Sequence, residues 1–564
     1  MAFPTLNEVV QALAAAMPAV LDWQQMDPQA SDYGAPVNPA WGTDDPSAAT
    51  AAPLIAACGM LYLHGGVGPL DRPKLLAHMS AAVEYLLRFQ RDTGFIDLKN
   101  YLPDSAADTA FVLQPLCAMV ELARRAKLDD PAWTKALQRL EVFIRRAASG
   151  MPAGGFGTPN HRWVICSAMA HATALFPDLQ LAPAIDAIVA EGIDIDREGF
   201  YMERSVGVYD AVSNRSLLLL ADFYPSATAA AREAVHRNLD LDLHLLHADM
   251  TAETALSHRQ DYGKREVPVA QGSCYLHSCL VRPNAVFAEA ARVLWNAAET
   301  RTATVCLWYY YLLSKFGEPA SPPAALPQDF SLWLPDNGLW RIRRNALSAS
   351  VLRGSASLLS LVWGEAELAA VKICQTYYGT GRFRADTMSV DGQQAMLRFE
   401  GDYRAYRPGA FMPLGRPIPN ELGKFWGETA SQRKLRSQPK CTSTLQISEV
   451  PGGFDLHYRT LSGLDRVCTQ VTFDFAPGGV WETADTACRP RAGDELFLRQ
   501  GVGRMIYGTD VIEIGPGTAG HRMWQMRDSE LAPHYVRVTI ALVTPIDQVF
   551  RIRLGRGIHS HRST

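Results

Sequence analysis

Ser321-Pro322-Pro323-Ala324-Ala325-Leu326-Pro327 divides the chain into two kinds of sequence. Its prolines fix φ and remove backbone donors, so neither a helix nor a central strand is expected to run through it. Upstream, apolar residues recur at helical steps. Leu76, Met79, Val83, Leu86 and Leu87 share one face, and the pattern stops at Asp92-Thr93-Gly94. Asp130 stands where it can cap a helix with Pro131 in its first turn, and Trp133, Leu137, Leu140, Phe143 and Ile144 form the stripe that follows. The same period recurs over 164–175, 216–223, 229–246 and 285–313. Downstream the period shortens to two. Leu347–Leu352, a turn holding Gly354 and residues 358–363 read as a hairpin, as do 505–507, Gly508-Thr509-Asp510 and 511–514. Val471-Thr472-Phe473-Asp474-Phe475 alternates, and Val536-Arg537-Val538-Thr539-Ile540 has a strand's β-branched content. The expected fold is therefore α+β and multidomain. An N-terminal (α/α) toroid, an incomplete helical barrel, covers 1–320; a Pro-rich linker covers 321–329; a C-terminal antiparallel β-sandwich covers 330–564.

Composition narrows the function. Hydrophobic residues make up 48% and charged residues 20%, enough apolar material for two cores. A formal net charge of −4 argues against a nucleic-acid partner, because phosphate recognition needs a basic excess. The ten cysteines stand singly, without C-x-x-C spacing, and no His/Cys/Asp cluster has metal-ligand spacing. Neither a metal nor another cofactor is expected. No apolar run of about twenty residues suggests a membrane span, and the first 25 residues lack a signal-peptide pattern. The chain as it stands is expected to be cytoplasmic, with a periplasmic or secreted location if a signal has been removed.

Two glycine-punctuated stretches carry the chemistry. Gly154-Gly155-Phe156-Gly157-Thr158-Pro159-Asn160-His161-Arg162-Trp163 presents an amide, an imidazole and a guanidinium side by side. Glu198-Gly199-Phe200-Tyr201-Met202-Glu203-Arg204-Ser205, followed by Gly207-Val208-Tyr209, presents tyrosines. Together they suggest β-elimination on a uronic acid. The C5 proton of a uronate is weakly acidic while the carboxylate keeps its charge. Donors and positive charge withdraw that charge and stabilise the enolate-like transition state, each worth about 3–4 kcal/mol. A tyrosine, with an ordinary pKa of about 10, needs a cationic neighbour to act as base near neutrality; Arg162, Arg204 and Arg215 are the nearest in sequence. Asn100, among Asp97, Tyr101 and Asp104, adds a polar loop suited to sugar hydroxyls. Each residue also has a structural reading: Asn160 as the cap of a helix starting near Arg162, Tyr209 and Tyr201 as core aromatics, Arg215 as a salt-bridge partner.

A helical toroid followed by a β-sandwich, with an Asn-His loop and a later Tyr loop, resembles the heparinase II/III-like and alginate-lyase-like polysaccharide lyases. The resemblance implies a carbon–oxygen lyase that cleaves a 4-linked uronate poly- or oligosaccharide and leaves a 4,5-unsaturated end. It implies Asn160 and His161 at the carboxylate and Tyr209 as proton donor and base, with Tyr201 as the rival tyrosine. Many such lyases add a histidine from a His-Asn-His-Asp-like stretch early in the β-domain, but 371–384 here contains none. The missing contribution is then sought in His258 or Arg259, within Ser257-His258-Arg259-Gln260-Asp261-Tyr262, or in Tyr378 and Arg382. Two other functions compete: a glycoside hydrolase using two carboxylates such as Asp97 and Asp210, and a carbohydrate-binding protein without chemistry.

Overall fold

The computed structural model describes residues 3–99, 101–298, 301–319, 324–376, 381–401, 409–417, 429–437, 440–526 and 529–557. The chain forms two compact units, Met1–Leu246 with Met250–Pro327, and His247–Asp249 with Gln328–Thr564.

The described residues of the first unit hold twelve α-helices: α1 (Leu6–Asp22), α2 (Ala51–His64), α3 (Arg72–Phe89), α4 (Ala106–Ala126), α5 (Pro131–Gly150), α6 (Pro159–Leu175), α7 (Ala182–Ala190), α8 (Tyr209–Phe223), α9 (Thr228–Leu245), α10 (Val269–Val281), α11 (Ala285–Ala297) and α12 (Ala303–Phe316). Even-numbered helices pack in succession, α2 on α4, α4 on α6, α6 on α8, α8 on α10, α10 on α12, and α12 returns to α2. These contacts make the inner ring of the expected helical toroid. Composition explains which helices lie inside. In α2 every residue from Ala51 to Tyr62 is buried, as an all-round apolar helix demands. In α5 only a stripe including Trp133, Leu140, Phe143 and Ile144 is buried, and the rest faces outward. Asp130 caps α5 by accepting from the Ala132 and Trp133 amides, with Pro131 at the first position. The expected single helix over 285–313 is two, because Thr302 caps a new start by accepting from Val305 N.

The inner helices run in one direction, because Glu121 of α4, His171 of α6, Asp222 of α8, His277 of α10 and Lys315 of α12, each in the C-terminal part of its helix, meet in one cluster, and His64 at the end of α2 lies beside Tyr310 of α12. The N-termini of the inner helices therefore share one rim. Helix α4 is long and apolar enough to cross a membrane by length and composition, which the sequence reading did not register. However, 83% of its apolar window is buried inside the unit, so it is accounted for as a core helix.

The second unit packs two sheets around one core. The eight-stranded sheet runs in the order Glu495–Phe497, Val536–Val543, Cys468–Phe475, Ala366–Gln375, Leu359–Trp363, Leu347–Leu352, Leu339–Arg344 and Asp329–Leu334, antiparallel except for its first pair. The nine-stranded sheet is antiparallel throughout and has Gly453–Thr460 paired with Asp547–Arg556 near its centre. Val351, Val371, Phe473 and Val538 of the first sheet share a core with Leu397, Ile447, Leu456 and Phe550 of the second. This alternate burial is what period-two sequence produces in a sandwich. Gly508, at φ +54°, makes the tight turn of the hairpin read from 505–514.

Candidate active site

The site is assembled where α6 and α8 begin. Thr158 holds extended backbone before α6 without a side-chain cap bond, and Pro159 takes the first helical position. Asn160 therefore lies inside the first turn and does not cap the helix. Its Nδ2 donates to Glu203 Oε2 at 2.6 Å and to Thr158 Oγ1 at 3.2 Å. Its Oδ1 is buried without a hydrogen-bond partner. An unpaired buried acceptor costs free energy.

Glu203 is the residue that sequence reasoning passed over. It is buried in the loop before α8, one carboxylate oxygen on Asn160 and the other 3.4 Å from an Arg259 nitrogen. Burial raises its pKa, the Asn160 bond and the Arg259 charge pull back, and Asp194 and Asp261 push up again. The following residue, Arg204, has φ +51°, a left-handed conformation that a side chain pays to adopt and that clusters at functional sites.

Tyr209 is the first residue of α8, its backbone N–H donating to Ser205 Oγ at 3.1 Å. The Arg259 guanidinium lies 4.3 Å from the Tyr209 ring centroid. Burial lowers the Arg259 pKa, but the Tyr209 hydroxyl and the Glu203 and Asp261 charges outweigh it and hold the pKa above its ordinary value. Asp261 locks the two loops together. It accepts from Ser205 Oγ at 2.9 Å, Ser257 Oγ at 2.5 Å and the Gly207 amide at 3.1 Å. A Cβ at Gly207 would meet Asp261 Oδ2 at 2.9 Å, which explains the glycine there. His161 stands edge-on to Phe111, with centroids 5.8 Å apart. Burial lowers its pKa, Asp108 opposes and Arg259 adds to the lowering, so the imidazole is neutral near pH 7.

Several sequence-chosen residues are engaged with other partners or lie away from Tyr209 and Arg259. Arg162 is not a free substrate cation: it pairs with Glu191 at 2.7 Å and Asp194 at 3.0 Å and lies over Trp163. Tyr201 is 2% exposed, its hydroxyl donating to Asn214 Oδ1 at 2.8 Å, so the rival tyrosine is a core residue. The guanidinium on Tyr209 belongs to Arg259, whereas Arg215 lies over Trp308 at 5.1 Å. His258 is exposed at the site's edge, with its backbone N–H on the Glu203 carbonyl. Arg382 pairs with Glu530 at 2.7 Å in the second unit. Asn100 and Tyr378 fall outside the described residues. The carboxylates of the hydrolase reading form no pair. Asp97 is held by Arg91, and Asp210 is buried beside Asn238. Burial, with the Asp261 and Glu203 charges, raises the Asp210 pKa to about 7 against the pull of Asn238.

No family model matches the chain, and no curated protein matches it in sequence. Solved structures do match in fold. Heparinase III is similar over 99% of this chain and 93% of its own, with 10% identity and a TM-score of 0.53. A mutant of chondroitin AC lyase from Streptomyces coelicolor A3 is similar over 99% of this chain and 80% of its own, with 11% identity and a TM-score of 0.54. The same enzyme in complex with chondroitin sulphate gives 99%, 80%, 11% and 0.52. The chain has the helical-toroid and β-sandwich fold of these polysaccharide lyases.

Proposed function

We propose that this protein is a lyase that cleaves a 4-linked uronate glycan by β-elimination, leaving a 4,5-unsaturated uronate end. The observation that carries the reading is the Arg259 guanidinium over Tyr209, beside Asn160, His161 and Glu203 on one rim of the toroid. The fold likeness to heparinase III and chondroitin AC lyase supports it.

The uronate carboxylate docks against His161 and Arg259, on the rim where inner-helix N-termini add positive potential. Tyr209, with the Arg259 guanidinium over its ring, takes the C5 proton on its phenolic oxygen. The C5–H electron pair forms the C4=C5 double bond, the C4–O bond breaks, and the phenol proton passes to the departing oxygen. Glu203 touches none of the reacting atoms. It positions the Asn160 amide and keeps Arg259 over Tyr209. Such acid–base assistance contributes roughly 10²–10⁴-fold.

The experiment is a panel of uronate glycans followed by ultraviolet absorbance, because only elimination makes the conjugated product. Wild-type protein is expected to generate that absorbance and Tyr209→Phe almost none. Reducing ends released without absorbance would make the protein a hydrolase; binding without turnover across the panel would make it a carbohydrate-binding protein.

A further inference from the structure

The loop that leads to Asn160 also builds one wall of a surface pocket. Phe156, Gly157, Thr158, Pro159, Arg162, Asp194 and Met202 enclose about 230 Å³. The volume is below the roughly 300–1,000 Å³ of a complete ligand site, so it suits one part of a longer ligand. The pocket borders the candidate active site: Thr158 in its lining accepts from Asn160, and Met202 directly precedes Glu203.

Two properties define what it takes. Its outer walls are apolar and unburied: Phe156 is 45% exposed and Met202 63%. A Cβ at Gly155 or Gly157 would meet nothing, so the backbone on both sides of Phe156 is uncrowded. Its charge is already spent, because Arg162, the lone cation of the lining, is shared between Glu191 and Asp194, and Asp194 also accepts from Trp163 Nε1 at 2.8 Å. A sulfate or second carboxylate entering here would lose water and find no free cation. A neutral pyranose loses little and lays its C–H face on the aromatic ring.

Resting on the lyase reading, we infer that this pocket is the subsite for the sugar adjoining the cleaved uronate, and that this sugar is uncharged. The substrate class is then a glycan in which uronate alternates with a neutral, unsulfated sugar, as opposed to a homopolyuronate or a densely sulfated chain.

The test compares size-matched oligosaccharides of three kinds: uronate alternating with a neutral sugar, the same backbone sulfated on that sugar, and a homopolyuronate. Wild-type protein is expected to show the lowest KM for the first. Phe156→Ala, a change in an exposed glycine-flanked loop, should raise that KM about tenfold, equivalent to about 1.4 kcal/mol, with kcat within about twofold. A lower KM for the sulfated or homopolyuronate chain, or an unchanged KM in Phe156→Ala, overturns the inference. Saturation-transfer NMR of the alternating oligosaccharide on Tyr209→Phe protein separates this inference from the lyase reading. Magnetisation on the neutral sugar's ring protons that vanishes in Tyr209→Phe/Phe156→Ala supports the pocket even if no glycan is cleaved. Magnetisation confined to the uronate overturns it even if elimination is observed.

Discussion

Asn160 and Glu203 meet at 2.6 Å across 43 residues of sequence, and their contact joins the first turn of α6 to the loop that precedes α8. The carboxylate's remaining oxygen faces Arg259, so one buried acid spans both loops that carry the proposed chemistry. Breaking it separates activity from stability. Burial raises the Glu203 pKa, and a carboxyl raised in the folded state adds stability at low pH that is lost as pH rises through the folded value. Glu203→Gln is therefore expected to unfold at the same or a higher temperature than wild type at pH 8. The same variant loses the anion that anchors Arg259, and kcat/KM should fall about 10–100-fold. Because wild-type Glu203 protonates on acidification, the acid limb of its pH–rate profile should flatten in Glu203→Gln. A variant that is both destabilised at pH 8 and fully active per folded molecule would reverse the assignment.

The two tyrosines should separate in the same manner. Tyr209→Phe removes a hydroxyl at the rim and should keep its melting temperature within about 2 °C while losing at least about 100-fold in unsaturated product. Tyr201→Phe removes a buried bond to Asn214 and leaves its acceptor unpaired, at a cost of about 1–3 kcal/mol, with turnover per folded molecule unchanged. Thermal melts together with absorbance assays on both variants decide the matter; loss of turnover in Tyr201→Phe alone would exchange their roles.

Arg162 should behave as structure. Its guanidinium satisfies Glu191 and the partly buried Asp194. Arg162→Ala leaves Asp194 without its cation and is expected to cost about 3–5 kcal/mol, with kcat unchanged in whatever fraction folds. Urea denaturation measures the first and active-site-normalised turnover the second. A stable Arg162→Ala protein with a large loss of kcat would restore the substrate role that the sequence suggested.

These contrasts show where sequence reading reached. The change of hydrophobic period around 321–327 told helices from strands, and strands as far apart as Val471 and Ile540 do pair. Period reports which face of one element is buried. It does not report which helix of a ring meets which, so the return of α12 to α2 was not legible. In the site, Asn160, His161 and Tyr209 stood out because glycines flank them. Glu203 did not, because an acid in a polar loop looks solvated until tertiary packing buries it against Asn160. Arg162 misled for the converse reason: its partners Glu191 and Asp194 lie about thirty residues away, where no spacing rule links them.

At the opposite end of the inner ring, α4, α6, α8, α10 and α12 each contribute to one charge network. Lys315 Nζ lies 3.4 Å from Glu121 and 3.5 Å from Asp222, and 2.8 Å from the Tyr311 hydroxyl. His171 stands 3.3 Å from Glu121 and His277 3.0 Å from Asp222, with Arg125 and Arg232 outside them. Both acids sit near helix C-termini, where the macrodipole disfavours negative charge, so the cations are required. Burial pushes the Glu121 pKa up, but His171, Lys315 and Tyr311 outweigh it and bring it to about 2. Burial likewise pushes Asp222 up, and His277, Lys315 and Arg232 bring it to about 2. Carboxyls lowered in the folded state contribute stability above their unfolded pKa of about 4, and this is lost as pH falls towards the folded value. Wild-type protein should therefore lose stability steeply between about pH 4.5 and 2. Lys315→Met leaves two buried acids with one cation fewer. It should cost about 3–5 kcal/mol at pH 7 and show a shallower acid slope, because the acids are no longer held so low. Urea midpoints measured from pH 7 to pH 3 check both effects; a Lys315→Met protein as stable as wild type at pH 7, with the same acid slope, would show that the network does not hold the ring together.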